Sequence, residues 1–119
     1  MTVVTCFIRY TIDQERWAEF EHYARVWMRL IEKYGGKHQG YFVPGDEPRS
    51  ASFSFPGIGE AGADNIAIAL FSFPSVDSYE SYRRDVRNDP DCVEVTKHFE
   101  STKHFTKYER TFMRPVERD

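Results

Sequence analysis

The sequence is poor in cysteine, since its 119 residues include only Cys6 and Cys92. The two lie far apart and form no Cys-x-x-Cys pair, so we expect neither a disulfide framework nor a thiolate metal site. Positive charge is not in surplus either, because 16 Lys and Arg stand against 19 Asp and Glu and leave a formal charge of −3. Without a basic excess that could condense on phosphates, nucleic acid is not an expected partner.

Long apolar runs are missing as well. No stretch approaches the length of a bilayer span, and the start of the chain has neither a basic region nor a small-residue cleavage site. We therefore expect no membrane association and a cytoplasmic protein. The 40% of hydrophobic and 16% of aromatic residues are too many for a disordered chain, and the length suits one domain over residues 1–119.

Four segments have the composition of β-strands, at 3–10, 37–43, 65–73 and 104–113. The first and third are apolar on both alternations, which predicts central strands that are buried on two sides. The second has a polar start and stops at a Pro-Gly pair, as expected of an edge strand. Residues 45–64 show no sustained period and are predicted to form a long loop.

Two helical segments separate these strands. Asp13 is the expected N-cap of a long amphipathic helix that ends at Gly35-Gly36. Its apolar stripe recurs at steps of three and four residues: Trp17, Phe20, Ala24, Trp27, Ile31 and Tyr34. Ser75 is the expected cap of a second helix, which Asp89-Pro90 restarts. This helix carries Val76, Tyr79, Tyr82, Arg83 and Val86.

The order βαββαβ predicts an α+β domain with the ferredoxin-like arrangement, a four-stranded antiparallel sheet with two helices on one face. Helices cover only one face of such a sheet, so something else must cover the apolar residues of the other. We expect a second copy of the chain to do so, which makes the protein a homodimer paired through the sheet face. The sequence leaves open which strand alternation faces the helices.

One glycine-rich motif does not indicate a dinucleotide-binding site. Gly57-Ile-Gly-Glu-Ala-Gly62 matches the letters of a dinucleotide fingerprint, but a proline precedes it and a strand follows it. The fingerprint requires a strand before the glycines and a helix after them. We therefore interpret these glycines as part of an ordinary loop.

The histidines do not predict a metal centre, because only Glu94 and His98 share a helix face at ligand spacing. His38, on an edge strand near aromatic residues, is a candidate general base or axial haem ligand. Its alternative role is that of a partly exposed polar residue at the start of a strand. No cofactor is required by the sequence, although haem is compatible with it.

Candidate ligand-binding residues are Arg9 and a set of aromatic side chains with polar groups. Arg9 lies on a central strand, where its guanidinium needs a carboxylate of the chain, the dimer mate or a ligand anion as its partner. The aromatic set suits an aromatic or polyketide-like ligand between helices and sheet, or else simply belongs to the core. Its members are Tyr23, Trp27, Tyr41, Tyr82 and Tyr108.

Several segments together resemble the NIPSNAP family of the dimeric α+β barrel superfamily. The resemblance covers nearly the whole chain apart from part of the 45–64 loop. It rests on Thr5-Cys-Phe-Ile-Arg-Tyr10, Phe20-Glu-His-Tyr-Ala-Arg-Val-Trp27, Gly40-Tyr-Phe-Val-Pro44, Ala69-Leu-Phe-Ser-Phe-Pro74, Ser78-Tyr-Glu-Ser-Tyr-Arg83 and Glu109-Arg-Thr-Phe112.

The resemblance implies ferredoxin-like protomers that pair sheet to sheet, and it implies a function less firmly. Relatives in the superfamily include cofactor-independent monooxygenases, haem-degrading monooxygenases and muconolactone isomerases, and a shared fold does not fix the chemistry.

Two functions follow as hypotheses. The first is binding of a small hydrophobic or aromatic molecule, with monooxygenase-like or isomerase-like chemistry in which His38 accepts a proton and Arg9 stabilises negative charge. The second is a non-catalytic protein-protein interaction module. A roomy pocket with convergent polar groups favours the first hypothesis, and a dry, filled interface between helices and sheet favours the second.

Overall fold

A computed structural model of the chain describes residues 3–46 and 54–119. Its elements follow the order β-α-β-β-α-α-β: β1 (Val4–Ile12), α1 (Trp17–Lys33), β2 (Lys37–Phe42), β3 (Ile66–Phe73), α2 (Val76–Val86), α3 (Pro90–Thr102) and β4 (Phe105–Met113). The four strands form one antiparallel sheet in the order β2-β3-β1-β4. The predicted ferredoxin-like fold is confirmed, with β1 and β3 central and β2 and β4 at the edges.

The second crossover contains two helices, where the fold prediction counted one. Asp89 separates them, because its carboxylate accepts a hydrogen bond from the Asp91 N–H at 2.9 Å and Pro90 begins α3. The predicted Ser75 cap of α2 is confirmed, since its Oγ accepts a hydrogen bond from the Ser78 N–H at 3.0 Å. The helix restart at Asp89-Pro90 therefore produces two distinct helices.

The predicted N-cap of α1 is wrong. The capping position belongs to Arg16, without a hydrogen bond from its side chain. Asp13 is held one turn earlier, because its N–H donates to the His104 carbonyl at 3.0 Å and its own carbonyl accepts from the Arg16 N–H. These backbone bonds fix Asp13 in the turn that leaves β1. The predicted helix end is confirmed, with Tyr34 as C-cap and Gly35 at a φ of +96°.

The burial of the side chains shows which alternation of β1 and β3 faces the helices. The even-numbered positions of β1 and the odd-numbered positions of β3 pair across the sheet and are buried under the helices: Cys6, Ile8, Tyr10, Ala67, Ala69, Phe71 and Phe73. They form one core with residues of all three helices, among them Phe20, Leu30, Tyr82 and Val95.

The other face of the sheet carries no helix. Phe7, Ile66, Ile68 and Leu70 are only partly buried there, and Phe42 of β2 is 54% exposed. We refer to these five residues as the open face.

The loop between β2 and β3 is described in part. Residues 54–64 contain turns but no helix before β3 begins, so the context that the glycine motif needs is absent from this segment. The rest of the 45–64 loop, at 47–53, lies outside the described residues.

Gly36 lies where α1, β2 and the core meet, and a Cβ there would come within 2.7 Å of Ile31 Cγ2 and 2.8 Å of Phe73 Cζ. Both neighbours are buried and cannot give way freely. We expect Gly36→Ala to lower the free energy of unfolding by about 1–3 kcal/mol, measured by urea denaturation. The control is Gly62→Ala, whose Cβ would meet no atom within 4 Å and which should stay within about 0.5 kcal/mol of the parent. Equal stabilities of the two variants would contradict this packing argument.

Candidate functional site

A cavity of about 190 Å³ lies between the helices and the sheet. All four strands and the helices α1 and α2 contribute to its wall. The lining residues are Ile8, Tyr10, Tyr23, Trp27, Ile31, Tyr41, Phe71, Tyr79, Tyr82, Arg83, Tyr108 and Arg110. The wall is therefore mainly aromatic, with two guanidinium groups.

Simple periodicities bring these side chains together. Tyr23 and Trp27 are four residues apart on α1, and Tyr79 is followed on α2 by Tyr82 and Arg83 at steps of three and four. On β4, Tyr108 and Arg110 alternate onto the helix-covered face. Register places these last two side chains opposite residues of β1, Tyr108 opposite Tyr10 and Arg110 opposite Ile8.

Tyr10 is the centre of the aromatic wall. Its ring centroid lies 6.2 Å from that of Tyr23, 6.1 Å from that of Tyr41 and 6.2 Å from that of Tyr108. Burial raises the pKa of Tyr10, Tyr23 and Tyr41 well above the ordinary tyrosine value, and it raises the pKa of Tyr82 as well. These hydroxyls therefore stay protonated and neutral at pH 7, so they place no negative charge in the cavity.

The charge of the cavity wall comes from Arg83 and Arg110. Arg110 is partly buried, its Cζ lies 5.8 Å from the centroid of the Tyr108 ring, and its Nε is buried without a hydrogen-bond partner. Arg83 is exposed and lies at the mouth of the cavity. Within residues 3–46 and 54–119, neither guanidinium forms an ion pair with a carboxylate. The wall is therefore positive, and the described residues do not neutralise it.

Trp27 adds a second donor without a partner. Its Nε1 is buried and makes no hydrogen bond in the structure. An indole N–H can only donate, and the same holds for the guanidinium of Arg110. Two donor groups of the cavity residues thus lack acceptors, and an unsatisfied buried donor costs about 1–3 kcal/mol.

The structure brings together five of the seven residues predicted for the site. Tyr23, Trp27, Tyr41, Tyr82 and Tyr108 all line the cavity.

Arg9 lies elsewhere, on the opposite side of the sheet. Its Nη1 is 3.3 Å from Glu109 Oε1, and both side chains are about half exposed. Of the partners considered for Arg9, a carboxylate of the same chain is the one found. Register explains this pairing, because Arg9 and Glu109 are directly opposite one another on β1 and β4.

His38 lies behind the cavity wall. Its ring stacks on Tyr41 with centroids 5.0 Å apart and 14° between the planes, and it does not line the cavity itself. Nδ1 accepts a hydrogen bond from the Gly40 N–H at 2.8 Å, so the proton of a neutral ring resides on Nε2. Burial lowers the pKa of His38 to about 4. At pH 7 the ring is neutral, and its accepting nitrogen is already engaged by the backbone.

The residues present do not fit haem. The cavity is not much larger than the roughly 150 Å³ that holds one benzene molecule, whereas haem is a macrocycle of four pyrrole rings. His38, the predicted axial ligand, does not reach the cavity either.

The three other histidines lie next to one another and do not line the cavity. The ring of His98 is 5.2 Å from that of His22 and 6.4 Å from that of His104, measured between centroids. Within the described ranges, no three or more His, Cys, Asp or Glu side chains converge in a way that could hold a metal ion.

No helix in residues 3–46 and 54–119 has both the length and the apolar composition that a bilayer crossing needs.

Arg110 is the main site residue that the sequence analysis missed. The signal was available, because Tyr108 was assigned to the ligand and Arg110 stands two residues later on the same strand, hence on the same face. Arg83 was named as a residue of its helix, but its charge was not connected with the site. Tyr10 and Tyr79 were likewise assigned to a strand and a helix without being assigned to a ligand.

The family of the chain follows from a sequence comparison. A family model described as NIPSNAP matches residues 5–118. The chain belongs to the NIPSNAP family. No curated protein matches it.

Solved structures share the fold of this NIPSNAP protein at low sequence identity. A NIPSNAP family protein of unknown function from Agrobacterium tumefaciens is 15% identical, with a TM-score of 0.69 over 96% of this chain and 88% of that one. An uncharacterised NIPSNAP domain protein from Burkholderia xenovorans is 14% identical, with a TM-score of 0.67 over 95% and 94%. A proposed antibiotic biosynthesis monooxygenase from Nitrosomonas europaea is 6% identical, with a TM-score of 0.62 over 98% and 100%. These likenesses establish the fold.

Proposed function

We propose that this NIPSNAP protein binds a small aromatic molecule in the cavity between helices and sheet. The observation that carries the proposal is a cavity of about 190 Å³ with an aromatic wall. A cavity of about 150 Å³ in another protein holds one benzene molecule, so the size suits a single substituted ring. The tyrosine rings supply edge and face contacts, and their hydroxyls supply polar contacts that orient a ligand.

The alternative function, a protein-protein interaction module, draws less support from the same region. A helix-sheet interface that served only as a scaffold would be expected to be filled and free of unpaired polar groups. The cavity contains space, and the Nε of Arg110 and the Nε1 of Trp27 lack partners. These features favour a small ligand over a purely structural core.

We extend the proposal from binding to a reaction of the bound molecule. Monooxygenase-like and isomerase-like reactions pass through a state in which negative charge has developed on the ligand, and fixed positive groups stabilise that charge. Arg110 replaces Arg9 in this role, because it lines the cavity and Arg9 does not. The predicted role of His38 as proton acceptor becomes a positioning role, in which the ring supports Tyr41 from behind.

The two tryptophans provide a direct test of binding. Trp27 lines the cavity, whereas Trp17 lies outside it against Phe20, with ring centroids 6.3 Å apart. In a Trp17→Phe variant the remaining indole reports on the cavity alone. We expect its fluorescence to change saturably when phenol or benzoate is added, because a ring bound beside Trp27 changes the environment of the indole.

The matched control is Trp27→Phe, which keeps the indole of Trp17. Its fluorescence should not respond to the same compounds, and glucose 6-phosphate should give no saturable response in either variant. Calorimetry on the unmutated protein checks that the optical change reflects binding. An absence of saturable fluorescence and heat signals with every aromatic compound would refute the proposed function.

We also propose that a second copy of the chain covers the open face. The five residues of that face present apolar side chains that a monomer would leave in contact with water. Contiguous apolar patches of this kind on soluble proteins usually mark interaction sites. Pairing about a two-fold axis covers both copies at once and leaves no open-ended surface.

A further inference from the structure

We propose that the cavity selects an anionic ligand, an aromatic carboxylate of one ring, and that Arg110 receives its carboxylate group. This inference rests on the proposed function, to which it adds the charge and chemical class of the ligand.

The first support is the charge of the wall. Arg83 and Arg110 line the cavity, and no acidic side chain of the described residues does. By comparison, Arg9 has Glu109 at 3.3 Å and Lys33 has Asp89 at 2.7 Å. A partly buried guanidinium without a carboxylate is costly to keep, because charges removed from water need an opposite charge or hydrogen-bond acceptors. A bound anion would supply both.

The second support is the kind of hydrogen bond the cavity residues still need. The Nε of Arg110 and the Nε1 of Trp27 are donors that find no acceptor among the described residues, and because both atoms are shielded from water, a ligand reaches them only with a shift of neighbouring side chains. A carboxylate is an acceptor-only group whose two oxygens offer about four lone-pair sites. It can accept hydrogen bonds from more than one donor at once, which a neutral hydroxyl does less well.

The third support is the choice of arginine. A guanidinium presents parallel N–H groups that match the two oxygens of a carboxylate, so the pair is directional as well as charged. Tyr108 stacks near this guanidinium, with Arg110 Cζ 5.8 Å from the ring centroid, and helps to hold its plane. Apart from Arg83, the remaining wall is made of aromatic and aliphatic side chains, which suit the ring of the ligand.

The test compares benzoate with benzamide, which has nearly the same shape but no charge. We expect calorimetry at pH 7 to give a benzoate affinity about 10-fold to 100-fold higher, the range that hydrogen bonds to a charged group provide. In Arg110→Gln this preference should disappear, measured as the ratio of the two affinities in the same variant. Arg110→Lys should retain a reduced preference, since it keeps the charge but not the paired donors.

Arg84→Gln is the matched control, because it removes one positive charge from an exposed residue of α2 that does not line the cavity. It should leave the preference for benzoate unchanged. Equal affinities of benzoate and benzamide for the unmutated protein would overturn the proposal while leaving aromatic binding intact. A preference that survives in Arg110→Gln and vanishes in Arg83→Gln would overturn the role of Arg110. Binding of neither compound would instead refute the proposed function itself, and thermal unfolding of each variant verifies that it is folded.

Discussion

Light scattering after gel filtration at low micromolar concentration is expected to give twice the 14.0 kDa mass of one chain. The driving force is the apolar area of the open face, where burial contributes about 25 cal/mol per Å². A standard interface removes about 800 Å² per partner from water, so even a mainly apolar patch of smaller area outweighs the usual cost of association. A mass near that of one chain would refute the proposed dimer.

Substitutions at two neighbouring residues of β1 distinguish a role in the dimer interface from a role in the core. Phe7 belongs to the open face, whereas Ile8 is 5% exposed and packs under the helices. We expect Phe7→Glu to stay folded and become monomeric, because a buried carboxylate without a partner is expelled from an interface. Ile8→Glu should lose stability without becoming a folded monomer, since it replaces a packed core side chain even though Arg110 lies opposite it on β4.

The control for added charge is Val93→Glu. Val93 is 42% exposed on α3, away from the open face, so this variant should remain folded and dimeric. Circular dichroism and light scattering distinguish the three outcomes. A Phe7→Glu protein that stays dimeric would show that another surface forms the interface.

The sequence was sufficient to predict the order of strands and crossovers and the two central strands, and the physical reason is visible in β1 and β3. Their apolar residues occupy both alternations, which only a strand buried on two sides requires. The same property concealed which alternation faces the helices. Only the packing of Phe20, Leu30 and their neighbours on one side of the sheet decides between the two faces.

The aromatic part of the site was predictable, whereas for the charged part the sequence indicated only that Arg110 shares a face with Tyr108. Tyr23 and Trp27 share a helix stripe that points inward in any packing of α1. The choice between Arg9 and Arg110 depends on register, because a shift of one position moves a strand residue to the other face. Glu109 stands beside Arg9 only because β4 pairs with β1 as it does, and no local pattern in the sequence fixes that pairing.

The volume of the cavity could not be predicted from the sequence either. It depends on how tyrosine and tryptophan side chains from six elements fill the space between helices and sheet. Composition supplies the large side chains but does not determine whether they close the gap. A difference of one rotamer at a ring such as Tyr82 would change the space available to a ligand.

His104 gives the chain an acid-sensitive core. The residue is 0% exposed, and neither ring nitrogen has a hydrogen-bond partner. Phe99 and Phe105 pack against the ring at centroid distances of 5.0 and 5.2 Å. Burial lowers the pKa of His104 to about 4, with a smaller contribution from the neighbouring His98, while Glu19 acts in the opposite direction.

We expect the free energy of unfolding to fall as the pH drops from 7 towards 4.5. Between the ordinary histidine pKa of 6.5 and the folded pKa of about 4, the unfolded chain binds a proton that the folded chain excludes. The folded state therefore loses about 2 kcal/mol over this window through His104. His38, whose pKa is also lowered to about 4, adds a loss in the same direction. Asp89 does not contribute here, because its pKa is lowered from 3.8 to about 2 and its stabilising effect is lost only below pH 4.

Urea denaturation at a series of pH values measures this slope, and substitution separates the contributions. His104→Leu replaces the titrating group by an apolar side chain. Its free energy of unfolding should therefore change less between pH 7 and 4.5 than that of the parent. This comparison of slopes does not depend on the packing cost of the substitution at pH 7. His22→Gln is the comparison, since His22 lies on α1 beside His98 and is the weakest of the groups that lower the pKa of His104, so this variant should change the slope much less than His104→Leu does. If His104→Leu lost stability as steeply as the parent, the proton uptake would have to occur at another group, and the buried imidazole would not be the acid-sensitive element of the core.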